Sequence, residues 1–124
     1  MRYDPDIAPL PSEWLALDEA ERIALTDRFH RDAGVVLPNI LVHSAIHASV
    51  ETQLAMGLPS VTDALRRLRA EGLDRHDALH AIGAVLAERM WNVVRSEPGP
   101  DDPNAIYFAA LDKLSAANWR RDYG

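Results

Sequence analysis

Two pairs of histidines share one spacing: His43 with His47 in HSAIHASVE, and His76 with His80 in RHDALHAIG. Residues four apart on an α-helix stand one above the other on the same face, so each pair can present two imidazoles to a single ion. The fifth histidine, His30, falls near the end of an earlier helical stretch. Nitrogen donors with a carboxylate suit Zn²⁺, Fe²⁺, Mn²⁺ or Ni²⁺; zinc and iron lead, with manganese and nickel as alternatives. One or two such ions are expected, and an open coordination position would let an ion activate water for hydrolysis or take part in redox chemistry on a small-molecule substrate. The HExxH protease pattern is absent, because Ser44 follows His43 and Asp77 follows His76.

Three carboxylates are candidates for the same site. Glu51 extends the first pair into HxxxHxxxE, a stripe about 12 Å long on a helix, and is expected to take the ion or orient a ligand. Asp27 precedes His30 by three residues, a spacing used in helical di-metal bundles, but it lies off the apolar arc. Glu88 shares a polar stripe with Asp77, Asn92 and Arg95 and is expected in solvent.

The elements that must position these residues are all helical, since no stretch alternates with period two for long enough to make a strand. Ser12 is expected to cap a short helix carrying Trp14, and Asp18 a longer one running to about Asp32, stopped by Gly34 and Pro38. A third helix spans about Asn39 to Met56, Ser60 with Asp63 starts a fourth that Gly72 ends, and Asp74 caps the longest, about Arg75 to Arg95. After the loop SEPGPDDPN, NAIYFAALDKLSAANWRR reads as one amphipathic helix. The expected architecture is all-α: a bundle of four to five main helices with a short N-terminal helix, in one domain, residues 1–11 forming an extended arm that wraps it.

Helical phase turns all five histidines toward the core. His30 falls within the arc of Ile23, Thr26, Phe29 and Ala33; His43 and His47 share theirs with Val50 and Leu54; His76 and His80 share theirs with Gly83, Ala87 and Val94. Short connections favour antiparallel neighbours, so the Asn39 helix and the long helix are expected to run in the same direction, with the Ser60 helix returning between them. The small residues Gly83, Ala84 and Ala87 just past His80 leave room for a ligand or for close helix packing.

Composition narrows the field. With 124 residues the chain has room for one core, and a net charge of -6 excludes an electrostatic grip on nucleic acid or anionic lipid. Arg66, Arg67, Arg69 and Arg75 are read as solvated helix faces. Cysteine is absent, so no disulfide or thiolate ligand enters. The N-terminus has no apolar targeting segment and Ala78 to Val94 is interrupted by His80, Glu88, Arg89 and Asn92, which points to a cytoplasmic protein without a membrane span. Apolar residues around most of the long helix, Met90 and Trp91 among them, favour a homodimer. Gln53 is read as a buried amide, and Trp14, Trp91 and Trp119 as core or interface anchors.

From Asn39 to about Leu111 the pattern NILVHSAIHASVETQL, then RHDALHAIGAVLAERMW, an acidic proline-containing loop and a helix near Tyr107 resembles the bacterial domain-of-unknown-function 1841 family. The resemblance implies histidines at His43, His47, His76 and His80, glutamine at Gln53 and glutamate at Glu88, which raises Glu88 to a candidate supporting residue. It does not reach His30, has no clear counterpart of Glu51, and names no reaction. The leading expectation is therefore a helical-bundle metalloprotein with His43, His47, His76, His80, His30 and Glu51 as ligands, its enzymatic character open between metal-dependent hydrolase, oxidoreductase and none. The alternatives are a non-enzymatic interaction or structural module, with a hydrogen-bonded histidine cluster or a structural ion, and a haem protein using one histidine from each arm.

Overall fold

A computed structural model describes residues 2–35, 39–95 and 103–123. Pro38 and most of the SEPGPDDPN loop lie outside these residues, as do the side chains at positions 92–95. The chain forms α1 (Pro11–Ala16), α2 (Glu19–Asp32), α3 (Ile40–Ala55), α4 (Pro59–Ala70), α5 (Arg75–Arg95), α6 (Pro103–Lys113) and α7 (Ala116–Tyr123). No strand occurs among the described residues. The all-α class holds, but the described residues form seven helices where four to five with a short N-terminal one were expected.

Local chemistry explains most boundaries. Asp18 accepts the Glu21 N–H at 2.8 Å while the Glu21 side chain accepts the Asp18 N–H, a reciprocal cap that satisfies two donors at the start of α2. Asn39 caps α3 through Val42, and Asp74 accepts the Asp77 N–H at 2.7 Å at the start of α5. Gly34 and Gly57 sit at φ 74° and 71°, the left-handed conformation that lets α2 and α3 stop and the chain turn. Ser12 and Ser60 are not caps: α1 and α4 begin at Pro11 and Pro59, whose fixed φ and missing N–H suit the first helical position.

The terminal segment also differs from a single helix. Ser115 accepts the Asn118 N–H at 3.1 Å and Asn118 accepts the Ser115 N–H at 2.9 Å, so a new reciprocal cap starts α7 where α6 ends. Arg67 donates to the carbonyls of Leu111 and Leu114 at 2.6–3.1 Å, satisfying acceptors freed at the end of α6. It is therefore half-buried in a structural role, not a member of a solvated face.

Helix direction departs from expectation in a way that matters for the site. Glu51 of α3 pairs with Arg75 of α5, His47 lies beside His76, and His43 beside His80, so α5 advances as α3 recedes. The two helices run in opposite senses, not in parallel. The physical reason is that α4 does not return along α3; it packs chiefly on α5 and α6.

Two apolar clusters hold these helices. Val50, Leu68, Leu79, Ile82, Tyr107 and Leu111 belong to the larger, which joins α3, α4, α5 and α6. Tyr3, Trp14 and Ala48 form the centre of the smaller, with Ile23 and Phe29 of α2 packed against it. Trp14 is fully buried and donates from its indole to Thr52 at 3.1 Å, fastening α1 to α3. Gln53, half-buried instead of the buried amide expected, accepts from the Tyr107 hydroxyl at 2.7 Å and ties α3 to α6. Trp119 packs on the larger cluster, whereas Trp91 and Met90 are exposed.

Candidate metal centre

The imidazoles stand where the two clusters meet. Phe29 and Tyr3 of the smaller cluster make edge contacts on His76 and His47, with ring centroids 5.6 and 5.4 Å apart. On the other side Leu79 of the larger cluster shares a wall with His43, His47 and His80. His30, in the last turn of α2, reaches the same place, its centroid 4.7 Å from His43 and 5.3 Å from His47. His76 and His80, successive on one face of α5, lie 4.2 Å apart. Three helices thus deliver five rings to one volume.

One nitrogen from each of His30, His47, His76 and His80 can be chosen so that all four lie within 4.8 Å of one another. Donors at about 2.0–2.1 Å from a tetrahedral ion stand about 3.3 Å apart, so the set would close on an ion by shifts on the order of an ångström. The cluster's ring nitrogens carry the stronger signal. His30 Nε2, His43 Nε2, His47 Nδ1, His76 Nε2 and His80 Nε2 are all buried without a hydrogen-bond partner. Each such group ordinarily costs about 1–3 kcal/mol, which makes five in one place expensive for a cluster without a ligand.

Which nitrogen is free is decided by what holds the other. His30 Nδ1 donates to the Thr26 carbonyl one turn back at 2.7 Å, leaving a lone pair on Nε2. For His47 the fixing partner comes from the N-terminal arm: its Nε2 lies 2.7 Å from the Tyr3 hydroxyl. Tyr3 spends its one proton on Glu51, so its oxygen accepts the His47 Nε2–H and the His47 lone pair is on Nδ1. Glu51 in turn accepts from both terminal nitrogens of Arg75 at 2.8 Å, and Arg75 also donates to the Pro5 carbonyl at 2.9 Å.

Of the two roles expected for Glu51, taking the ion or orienting a ligand, its contacts fit only the second. Both of its oxygens are engaged by Arg75 and Tyr3, and it supports His47 from behind. Arg75, expected on a solvated face, is buried because this carboxylate neutralises it. His43 stands beside the set of four, its ring 5.0 Å from His80. Asp27 pairs with Arg31 at 2.7 Å, and Glu88 is exposed. The N-terminal segment lies against the bundle: Tyr3 and Pro5 are buried, and Asp6 accepts the backbone N–H of His76 at 3.2 Å. Tyr3 and Arg75 are the two site residues that reading the sequence missed.

Electrostatics favour neutral rings. Burial pushes the His47 imidazole down to about 2, with charge on its histidine neighbours adding to the effect, and pushes His80 down to about 4 for the same reasons. His30 and His43 are also lowered, chiefly by burial, although the Thr26 carbonyl partly offsets this at His30. Burial and the Glu51 charge raise the Tyr3 hydroxyl, keeping it protonated. Neutral imidazole is the form that binds metal.

No described helix is long and apolar enough to cross a membrane. No curated protein and no solved structure matches the chain. The family model described as Domain of unknown function (DUF1841) matches residues 9–113, a wider span than 39–111 that takes in α1 and α2, and with α2 the helix of His30. The chain, matched over most of its length, belongs to the DUF1841 family.

Proposed function

We propose that this protein binds one first-row divalent ion, zinc or iron in the first instance, through His30, His47, His76 and His80, with His43 as a neighbouring fifth donor. The observation that carries the reading is the convergence of buried imidazole nitrogens that have no other partner. A purely hydrogen-bonded histidine cluster would join these nitrogens to one another or to other groups, so their lack of partners favours the metal reading over that alternative. A bound ion would supply a Lewis-acid centre on neutral nitrogen ligands. The protein's own contribution is to fix ring orientation, through Thr26 for His30 and through Tyr3, Glu51 and Arg75 for His47.

Elemental analysis of the purified protein, followed by titration of chelated protein with Zn²⁺ and with anaerobic Fe²⁺, tests the proposal. One equivalent of bound ion per chain is expected, with greatly reduced uptake in a His47→Ala/His80→Ala variant. Uptake that is absent, or equal in that variant, overturns it.

A further inference from the structure

Beside the imidazoles a cavity of about 190 Å³ lies between α3 and α5. Ile46, Leu79, Ala84 and Ala87 give it a mostly hydrocarbon wall. Its volume somewhat exceeds that of closed cavities, about 150 Å³ and lined by aliphatic and aromatic side chains, that take up benzene or xenon. Space exists here because the residues of α5 past His80 are small. A Cβ built on Gly83 would stand 3.3 Å from the Ile46 side chain, so the helices already approach closely at that point, and the room opens over Ala84 and Ala87.

Small residues alone would indicate only close packing. The second observation is His47, which lines the cavity and is 3% exposed; its Nδ1, without a hydrogen-bond partner, is the nitrogen assigned above to the ion, so the cavity adjoins the metal site. His43 and His80 line the same cavity, each with Nε2 unpartnered. One end of an otherwise apolar space is thus bounded by three imidazoles.

We propose that this cavity binds a small, neutral, weakly polar molecule, of the size of benzene or less, against His43, His47 and His80. The inference deepens the metal-site reading and rests on it for the ion that such a molecule would meet. For the metal-free pocket chemistry selects the class: phosphate or a carboxylate would have to shed tightly held water against Ile46, Leu79, Ala84 and Ala87, where the lining holds no cationic side chain to replace it. A weakly polar molecule gains by the same transfer.

Methyl-resolved NMR titrations with benzene, run on metal-free and on zinc-loaded protein, provide the test. Saturable shifts at Ile46, Leu79, Ala84 and Ala87 are expected in both forms. Ala87→Phe, which fills the space, should weaken benzene binding by about tenfold or more while zinc uptake stays at one equivalent. Ala84→Leu serves as the second plug should the phenylalanine variant not fold. No saturable shift, shifts unaffected by either plug, or phosphate acting on these methyls at lower concentration than benzene overturns the proposal. Benzene binding without zinc uptake would retain the cavity and discard the ion, so the two readings fail separately.

Discussion

Glu51 and Arg75 meet in a two-point ion pair, each guanidinium nitrogen 2.8 Å from a carboxylate oxygen, with both side chains almost wholly buried. One lies on α3 and the other opens α5, so the pair pins together the two helices that carry four of the five histidines. A buried pair of this kind is costly to break because the surviving partner stays charged out of water. Glu51→Leu should destabilise the protein by about 3–5 kcal/mol, and Glu51→Leu with Arg75→Met should recover part of that loss. Urea denaturation of the two variants checks this; a double variant no more stable than the single one shows that the charges are not coupled.

Tyr3 should act on the ion without touching it. Tyr3→Phe keeps the ring that packs on Trp14 and Phe29 but removes the oxygen that accepts from His47. Loss of a group that orients a ligating histidine costs about 10–100-fold in metal affinity, and a drop of that size is expected in competitive zinc titrations. Unchanged affinity, with the fold intact by circular dichroism, removes Tyr3 from the site.

Metal uptake should need more than one helix. Residues His30, His47 and His80 come from α2, α3 and α5, so alanine at any one of them leaves at most three of the four convergent nitrogens. Zinc affinity is expected to fall further in His47→Ala or His80→Ala than in Tyr3→Phe, because a ligand is lost and not merely its orientation. His43→Ala, outside the set of four, should have the smallest effect among the histidine variants. Isothermal titration of the series gives the order, and an inverted order would move the centre toward His43.

The metal-free protein should lose stability in mild acid. Burial holds folded His80 down at about 4 and His47 at about 2, whereas histidine in an unfolded chain titrates near 6.5. The unfolded chain therefore binds protons first as pH falls, and unfolding becomes easier. Stability is complete above about 6.5, declines below it, and for His80 levels off under about 4, where the folded ring also protonates. The slope approaches about 1.4 kcal/mol per pH unit for each such histidine. Urea midpoints of chelated protein across the range from about pH 4.5 to 7.5 measure it, and His80→Phe should flatten the curve. A wild-type midpoint that does not move with pH would show that these rings are not held neutral.

How much of this was legible depends on which contacts are local. His43, His47, His76 and His80 could be placed on inward faces because a spacing of four is a property of one helix, and His30 could be added because the phase of α2 is equally local. The direction of α5 against α3 was not legible from connection length, since α4 packs elsewhere instead of returning beside α3. Glu51 invited reading as a ligand because it extends the histidine stripe; what cancels that role, Arg75, lies 24 residues away, and Tyr3 lies 48 away. A buried acid on an apolar stripe does demand a cation, and Arg75 beside His76 was the available one. Tyr3 belongs to an arm with no periodicity to read. The Ser115 and Asn118 cap, by contrast, uses a local signal and could have divided α6 from α7.

Because α3 and α5 run in opposite senses, the His43–His80 contact is the counterpart of the His76–His47 contact, at 5.0 and 5.6 Å, but the arms themselves differ: His43 and His47 stand 6.3 Å apart, His76 and His80 4.2 Å. An ion held by His30, His47, His76 and His80 would take one imidazole from α3 and two from α5, and the two arms have unlike surroundings. His76 faces Phe29 on the side closed by the arm, whereas His43 borders the apolar opening by Ala87. His30, from α2, adds to this inequality. The result is a histidine cluster with a front and a back: the apolar pocket by Ala87 borders it along His43, His47 and His80, whereas Phe29 packs on His76.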